Sequence, residues 1–317
     1  MLKKKWVKVG IVFLAILLII DVLGSFYFYD LAIKREKKDF LQENDDLVVS
    51  REAMDVFVSG GWHEWVDNQE FEYWEIQSFD DLRLQGYYLE AEEPTNKTVV
   101  FAHGYLGRAR DMGIFGEYYY KELGYNILSV DLRGHGQSQG DYIGFGWHSR
   151  LDMVDWINRL LEKQGEDTEI ILHGISMGAA TVLMTSGEEL PKNVKAIVAD
   201  SPYTSVYDLF DYQMGRMFKL PSFPLLDTTS LVTKAKANYS LREASALKQV
   251  QKSDLPVLYF HGNSDDFVPT RMTRELYEHT NKAQIRIFEN SGHGEAFAIY
   301  RDEYIHSLNQ FIDQHLK

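Results

Sequence analysis

Short apolar runs recur at residues 98–102, 126–130, 169–172, 196–199, 257–260 and 285–288, separated by longer amphipathic stretches. Strand-length runs alternating with helix-length ones predict a parallel sheet with crossover helices. Ahead of them, residues 71–78 and 82–91 alternate apolar and polar positions around Phe79-Asp-Asp81, which predicts an antiparallel hairpin. Between Asp200 and Leu255 the strand rhythm lapses. Tyr207, Phe210, Tyr212, Met214, Met217, Phe218, Leu220, Phe223, Leu225 and Leu226 fall there, broken by Pro221 and Pro224. A helical insert over about 203–254 is expected to cap the sheet, and its Met and Phe side chains suit an acyl pocket as well as the cap's own core.

The N-terminus is different material. Lys3, Lys4, Lys5 and Lys8 lead into an uncharged run over residues 9–20, and after Asp21 the apolar and aromatic character continues to Tyr29. Residues 6–29 are long enough to cross a hydrocarbon core of about 30 Å as one helix. Trp6 at one end and Phe26 to Tyr29 at the other suit the two interfaces. Asp21 weakens the span without excluding it. Residues 1–29 are expected to be a single-pass signal anchor, with a cleaved signal peptide as the competing reading. Residues 30–70, with Leu31, Ile33, Phe40, Val48, Met54, Val56 and Phe57 among charges, are expected to form a helical stalk or packing segment before a domain over 71–317. The lysine-rich lead favours the domain outside the cell membrane, although Lys34, Arg35, Lys37 and Lys38 oppose the positive-inside rule.

Candidate chemistry sits at the strand ends. Leu172-His-Gly-Ile-Ser-Met-Gly178 joins a strand-like run to a helix-like one. A serine flanked by glycines at such a turn is a nucleophile elbow, too tight for Cβ atoms at Gly174 and Gly178. A serine needs a base, and the base needs an orienting carboxylate. Among the histidines downstream of Ser176, His306 and His315 fall in the C-terminal helical run and His261 ends a strand. His293 lies between two glycines in a loop that can present its imidazole freely. The carboxylate is expected from the loop after residues 257–260, where Asp265 and Asp266 are adjacent and spacing does not separate them. An oxyanion needs two amide donors. Met177, just after the serine, and Tyr105, after the strand at 98–102, are the expected ones.

Taken in order, His103-Gly104, Asp131-Leu-Arg-Gly-His-Gly-Gln-Ser138, Gly174-Ile-Ser-Met-Gly178, Gly262 to Pro269 and Gly292-His293 resemble the α/β-hydrolase superfamily from about residue 72 onward. The chain looks like its bacterial membrane-anchored or cell-surface esterases. In that family the acid is the Asp of Gly-x-x-Asp-x-x-Val-Pro, so the resemblance selects Asp265 over Asp266. Arg133 and His135 look like the family's structural turn. The resemblance implies a serine esterase, with the fold class α/β, mostly parallel sheet flanked by helices, plus the cap and the anchor. Peptide or amide cleavage by the same triad, and a non-catalytic binding module on the same scaffold, are the competing functions.

Composition narrows the partners. The chain has no cysteine, which excludes disulfides, thiol catalysis and cysteine-ligated metals. The expected chemistry requires no metal or organic cofactor. Residues 1–38 hold eight Lys/Arg against three Asp/Glu, so the formal −14 of the whole chain becomes −19 on residues 39–317. Such a field repels nucleic acid. The expected partners are a small ester or acyl substrate and, through the N-terminal helix, the membrane.

Overall fold

The structure is a computed structural model describing residues 2–36, 38 and 50–316. Phe40, Val48 and Lys37, which the sequence reading placed in or beside the stalk, lie outside the described residues. The chain opens with α1 (Leu2–Ala32), followed by α2 (Arg51–Ser59) and α3 (Trp62–Asp67). The expected helical character of 30–70 is therefore split. One physical reason is Gly60-Gly61, where extended backbone at Gly60 closes α2.

The antiparallel hairpin is β1 (Glu72–Gln77) and β2 (Arg83–Leu89), with Glu72 opposite Tyr88 and Gln77 opposite Arg83. Then come β3 (Lys97–Ala102), α4 (Gly113–Lys121), β4 (Asn126–Val130), α5 (Ser149–Gln164), β5 (Glu169–Ile175), α6 (Met177–Thr185) and β6 (Val194–Asp200). The insert holds α7 (Val206–Gln213), a π-helical turn (Met214–Phe218), α8 (Leu225–Ala237) and α9 (Ala246–Val250). The chain finishes with β7 (Val257–Gly262), α10 (Thr270–Glu278), β8 (Ala283–Phe288), α11 (Ala296–Ile299) and α12 (Arg301–His315).

The eight strands among the described residues form one sheet in the order β1-β2-β4-β3-β5-β6-β7-β8. Pairing is parallel from β4 through β8, while β2 runs antiparallel to both of its neighbours. The expected mostly parallel α/β sheet is thus the observed one. Strand residues alternate between two cores, as a pleated sheet requires. In β3, Val100 and Ala102 join the layer holding Trp156 of α5 and Leu183 of α6, while Val99 and Phe101 join the layer holding Phe115 of α4 and Tyr304 and Phe311 of α12. Both faces are covered, which is why these strands read as nearly continuous apolar runs.

Helix α1 has two halves. Trp6 through Ile20 is exposed along its large apolar side chains, whereas Ser25, Tyr29 and Ile33 are buried in the domain. Buried positions four residues apart mark one helical stripe, and that stripe packs on α8. Gly24 lets the Leu225 side chain approach closely. Thr228 Oγ1 donates to Asp21 Oδ2 at 2.6 Å and Ser25 Oγ donates to the Asp21 carbonyl at 2.8 Å. The chain is pinned as it leaves the helix: Ile143 N donates to Ile33 O, and the Arg35 guanidinium donates to the carbonyls of Gly136, Ser138 and Gly140.

Candidate active site

The serine is raised by its backbone. Ser176 sits between β5 and α6 with φ +55° and ψ −117°, a left-handed conformation costly for a residue with a side chain. The turn is as tight as the sequence implied. A Cβ on Gly174 would lie 2.3 Å from the Gly178 carbonyl carbon, and one on Gly178 would lie 1.9 Å from the Ala102 carbonyl oxygen. Met177 opens α6, so its amide is among those that find no partner within the helix.

The loops after β7 and β8 bring the other two groups to the serine, as the carboxyl ends of parallel strands commonly do. The Ser176 hydroxyl lies 2.8 Å from His293 Nε2 and donates to it when the imidazole is neutral, while His293 Nδ1–H donates to Asp265 Oδ2 at 2.6 Å. The other Asp265 oxygen accepts from the amides of Phe267 and Val268 at 2.8 and 2.7 Å. Asp266 is exposed and turned away, its carbonyl accepting from the Tyr212 hydroxyl. Geometry therefore separates the adjacent aspartates that spacing left together.

Electrostatics follow from this arrangement. Burial alone would raise the Asp265 carboxyl, but the facing His293 and the donors from His261 and His293 outweigh it and hold it well below the usual carboxylate range. Burial likewise works against a charged His293, yet the Asp265 carboxylate beside it, helped by Asp200 and Glu295, raises the imidazole above its ordinary value.

One partner was missed by the sequence reading, which gave His261 only the end of a strand. The His261 ring is fully buried, and its Nε2 stands 2.9 Å from Asp265 Oδ2 and 2.8 Å from the Val268 carbonyl. Two acceptors on Nε2 place a hydrogen there, so His261 donates to the same carboxylate oxygen that receives His293. The available signal was the four-residue interval from His261 to Asp265 across a turn. Arg133 and His135 have structural partners: Arg133 joins Asp152 of α5 to Asp80 in the hairpin turn, and His135 packs edge-on to His103.

A small chamber of about 90 Å³ opens beside Ser176. Tyr105 and Met177, the residues expected to supply the oxyanion amides, are among those lining it. The cap contributes Phe210, Met214, Met217, Phe218 and Leu226. Leu220 and Phe223 instead point to the exterior, and Tyr207 stacks under Arg242. Phe28, Leu31 and Ala32 of α1 complete the wall. The sequence reading gives Phe28 to the membrane anchor and Leu31 and Ala32 to the stalk or packing segment. Another hollow, about 470 Å³, is bordered by Trp65, Tyr87, Arg108 and Asp131 and contains none of Ser176, His293 and Asp265.

Comparison with known proteins gives the same fold. A family model described as the alpha/beta hydrolase fold matches residues 97–224. The uncharacterized protein YqkD of Bacillus subtilis is 30% identical over 235 residues, covering 73% of this chain and 75% of that protein. Among solved structures, the Pyrococcus furiosus esterase Pf2001 superposes with a TM-score of 0.66 at 23% identity, over 80% of this chain and 94% of the esterase. The Pyrococcus horikoshii acylaminoacyl peptidase superposes with a TM-score of 0.62 at 20% identity, over 78% of this chain and 42% of the peptidase.

Proposed function

Because the chain belongs to the α/β-hydrolase family, we propose that it is a serine hydrolase, held at the cell membrane by α1, that cleaves a carboxylic ester. The hydrogen-bonded line Asp265–His293–Ser176 carries this reading. In it Ser176 Oγ attacks the ester carbonyl carbon as His293 takes the hydroxyl proton. The Tyr105 and Met177 amides hold the developing oxyanion. The carbon–oxygen bond to the alcohol then breaks, and His293 returns the proton to the departing alkoxide. Water repeats the sequence against the acyl-enzyme, freeing the acid and restoring Ser176. Asp265 fixes the imidazole tautomer and stabilises the imidazolium throughout.

An ester is favoured over a peptide by the chamber, whose walls are mostly apolar. An extended peptide would need hydrogen-bond partners there for its backbone groups. A complete triad weighs against a purely binding role. The membrane reading is supported by the exposed apolar residues 6–20 of α1 and the lysines that precede them. Two of the cations after the helix, which oppose an outward domain, have packing roles: Arg35 binds loop carbonyls, and the buried Lys38 Nζ donates to the Asp30 carbonyl. Fluorophosphonate labelling tests the triad. The folded wild type should be labelled and Ser176→Ala should not; a folded wild type that resists labelling would sink the enzymatic reading.

A further inference from the structure

The uncharged part of α1, residues 9–20, is twelve residues long. At 1.5 Å per residue it reaches about 18 Å. A hydrocarbon core of about 30 Å takes roughly 20 residues. A span beginning at Val9 must therefore continue through Asp21 to about Phe28. That is the half of α1 that packs on the domain, with Asp21 held by Thr228, Gly24 under Leu225, and Ser25 and Tyr29 buried. With α1 spanning, the part of α8 packed on it would lie at the same depth, on the domain side of the bilayer. Apolar side chains are exposed around the N-terminal half of α8: Phe223, just ahead of the helix, is 74% exposed, and Leu231, one turn beyond Thr228, is 70% exposed, with the exposed Lys234 and Lys236 following in the last turn. Asp21 meets that depth with its carboxylate already hydrogen-bonded, as an intramembrane acid requires.

The chamber beside Ser176 is walled on that side by α1 and the cap. Phe28 and Leu31 of α1 and Met217 and Phe218 of the cap line it, all four partly exposed, with Phe28 packed edge-to-face on Phe218 at 5.0 Å. At about 90 Å³ the chamber is small for a long acyl chain, and the partly exposed α1–cap seam borders it.

We infer that α1 is one wall of the acyl channel as well as the anchor, and that the substrate is a long-chain acyl ester resident in the bilayer, drawn sideways between α1 and the cap so that its carbonyl reaches Ser176 while the chain end stays among lipid. This rests on the serine-hydrolase reading and adds the substrate class to it. The chemistry is unchanged: the acyl–oxygen bond breaks, the chain is held on Ser176, and water releases it as a fatty acid.

One probe separates the two. The full-length protein in phosphatidylcholine vesicles is treated with a hexadecyl fluorophosphonate carrying a mid-chain diazirine, illuminated and mapped by peptide mass spectrometry. Labelling of Ser176 reports the hydrolase reading. Photo-adducts on residues 24–32 or 214–231 support the channel, and adducts confined to the wall around Trp65 and Arg108 overturn it. No labelling of folded protein removes the hydrolase reading and this inference with it. As a second measurement, Leu31→Trp should lower the ratio of palmitoyl-ester to butyryl-ester turnover at least tenfold. An unchanged ratio in a labelled, folded variant overturns the channel and leaves the triad standing.

Discussion

Asp265 gathers two imidazoles on one carboxylate oxygen, and that crowding sets the behaviour of the site residue by residue. As the proposed base, His293 would act only when neutral, and its pKa is raised above the ordinary value of 6.5. The productive form therefore accumulates as pH rises, and kcat/KM should climb through a midpoint above pH 6.5; a midpoint below it, measured on a soluble ester, would contradict the electrostatics described. Asp265→Asn removes the anion that raises His293. It should move that midpoint downward and cut kcat by about four orders of magnitude. His261 is a positioning residue, touching the acid and not the substrate. A hydrogen bond to a charged group contributes about 1.5–3 kcal/mol, so His261→Leu should lower kcat roughly ten- to hundredfold. KM should move little, and His261→Gln, which keeps a donor, should recover part of the loss. Ser176 and His293 were legible in the sequence because glycines announce where a backbone must turn or be approached closely. Asp265 was legible only through a family pattern, and the His261 contact was not legible at all, because a strand-end residue reveals its partner only once the loop after β7 folds back.

At the scale of elements, the β5–α6 elbow is where sequence and geometry agree most closely. Gly178 abuts β3 so tightly that Gly178→Ala must displace the Ala102 carbonyl. Overpacking of that kind costs about 1–3 kcal/mol or more, and urea unfolding should show at least that loss, with labelling of Ser176 falling alongside. The strands were readable because both faces of the parallel sheet are covered and each strand is a short apolar run. Helix α1 was readable only in part. Its composition announced a span, but hydropathy does not distinguish a face that meets lipid from one that meets α8. The hint was the pair Asp21 and Ser25, polar residues one turn apart in an otherwise apolar helix, which now lie against Thr228 and Leu225. Thr228→Val should leave Asp21 without that donor and lower the yield of membrane-extracted, folded protein, a loss that Asp21→Leu in the same background should reverse.

For the whole molecule, the contrast between a strongly acidic body and a basic lead fixes which measurement reads orientation. Protease shaving of intact cells should release the acidic body if it faces outward; a body protected in intact cells and cut only after lysis would reverse the assignment. Removing α1 should do more than solubilise the domain. It strips the cover from the chamber and from the core that receives Tyr29 and Ile33, so a chain beginning at residue 39 should aggregate in sedimentation where the full chain in detergent does not. The pinned exit of α1 has one more consequence. Ile33 and Arg35 are fastened to the domain directly after the helix ends, so under the proposed anchoring α1 would work as a bolt and not as a leash. On the proposed anchoring, the body would not swing out to sample the aqueous space or an opposing membrane. Its search for substrate would be confined to the plane of its own leaflet, at an encounter rate set by lateral diffusion and by how crowded that leaflet is.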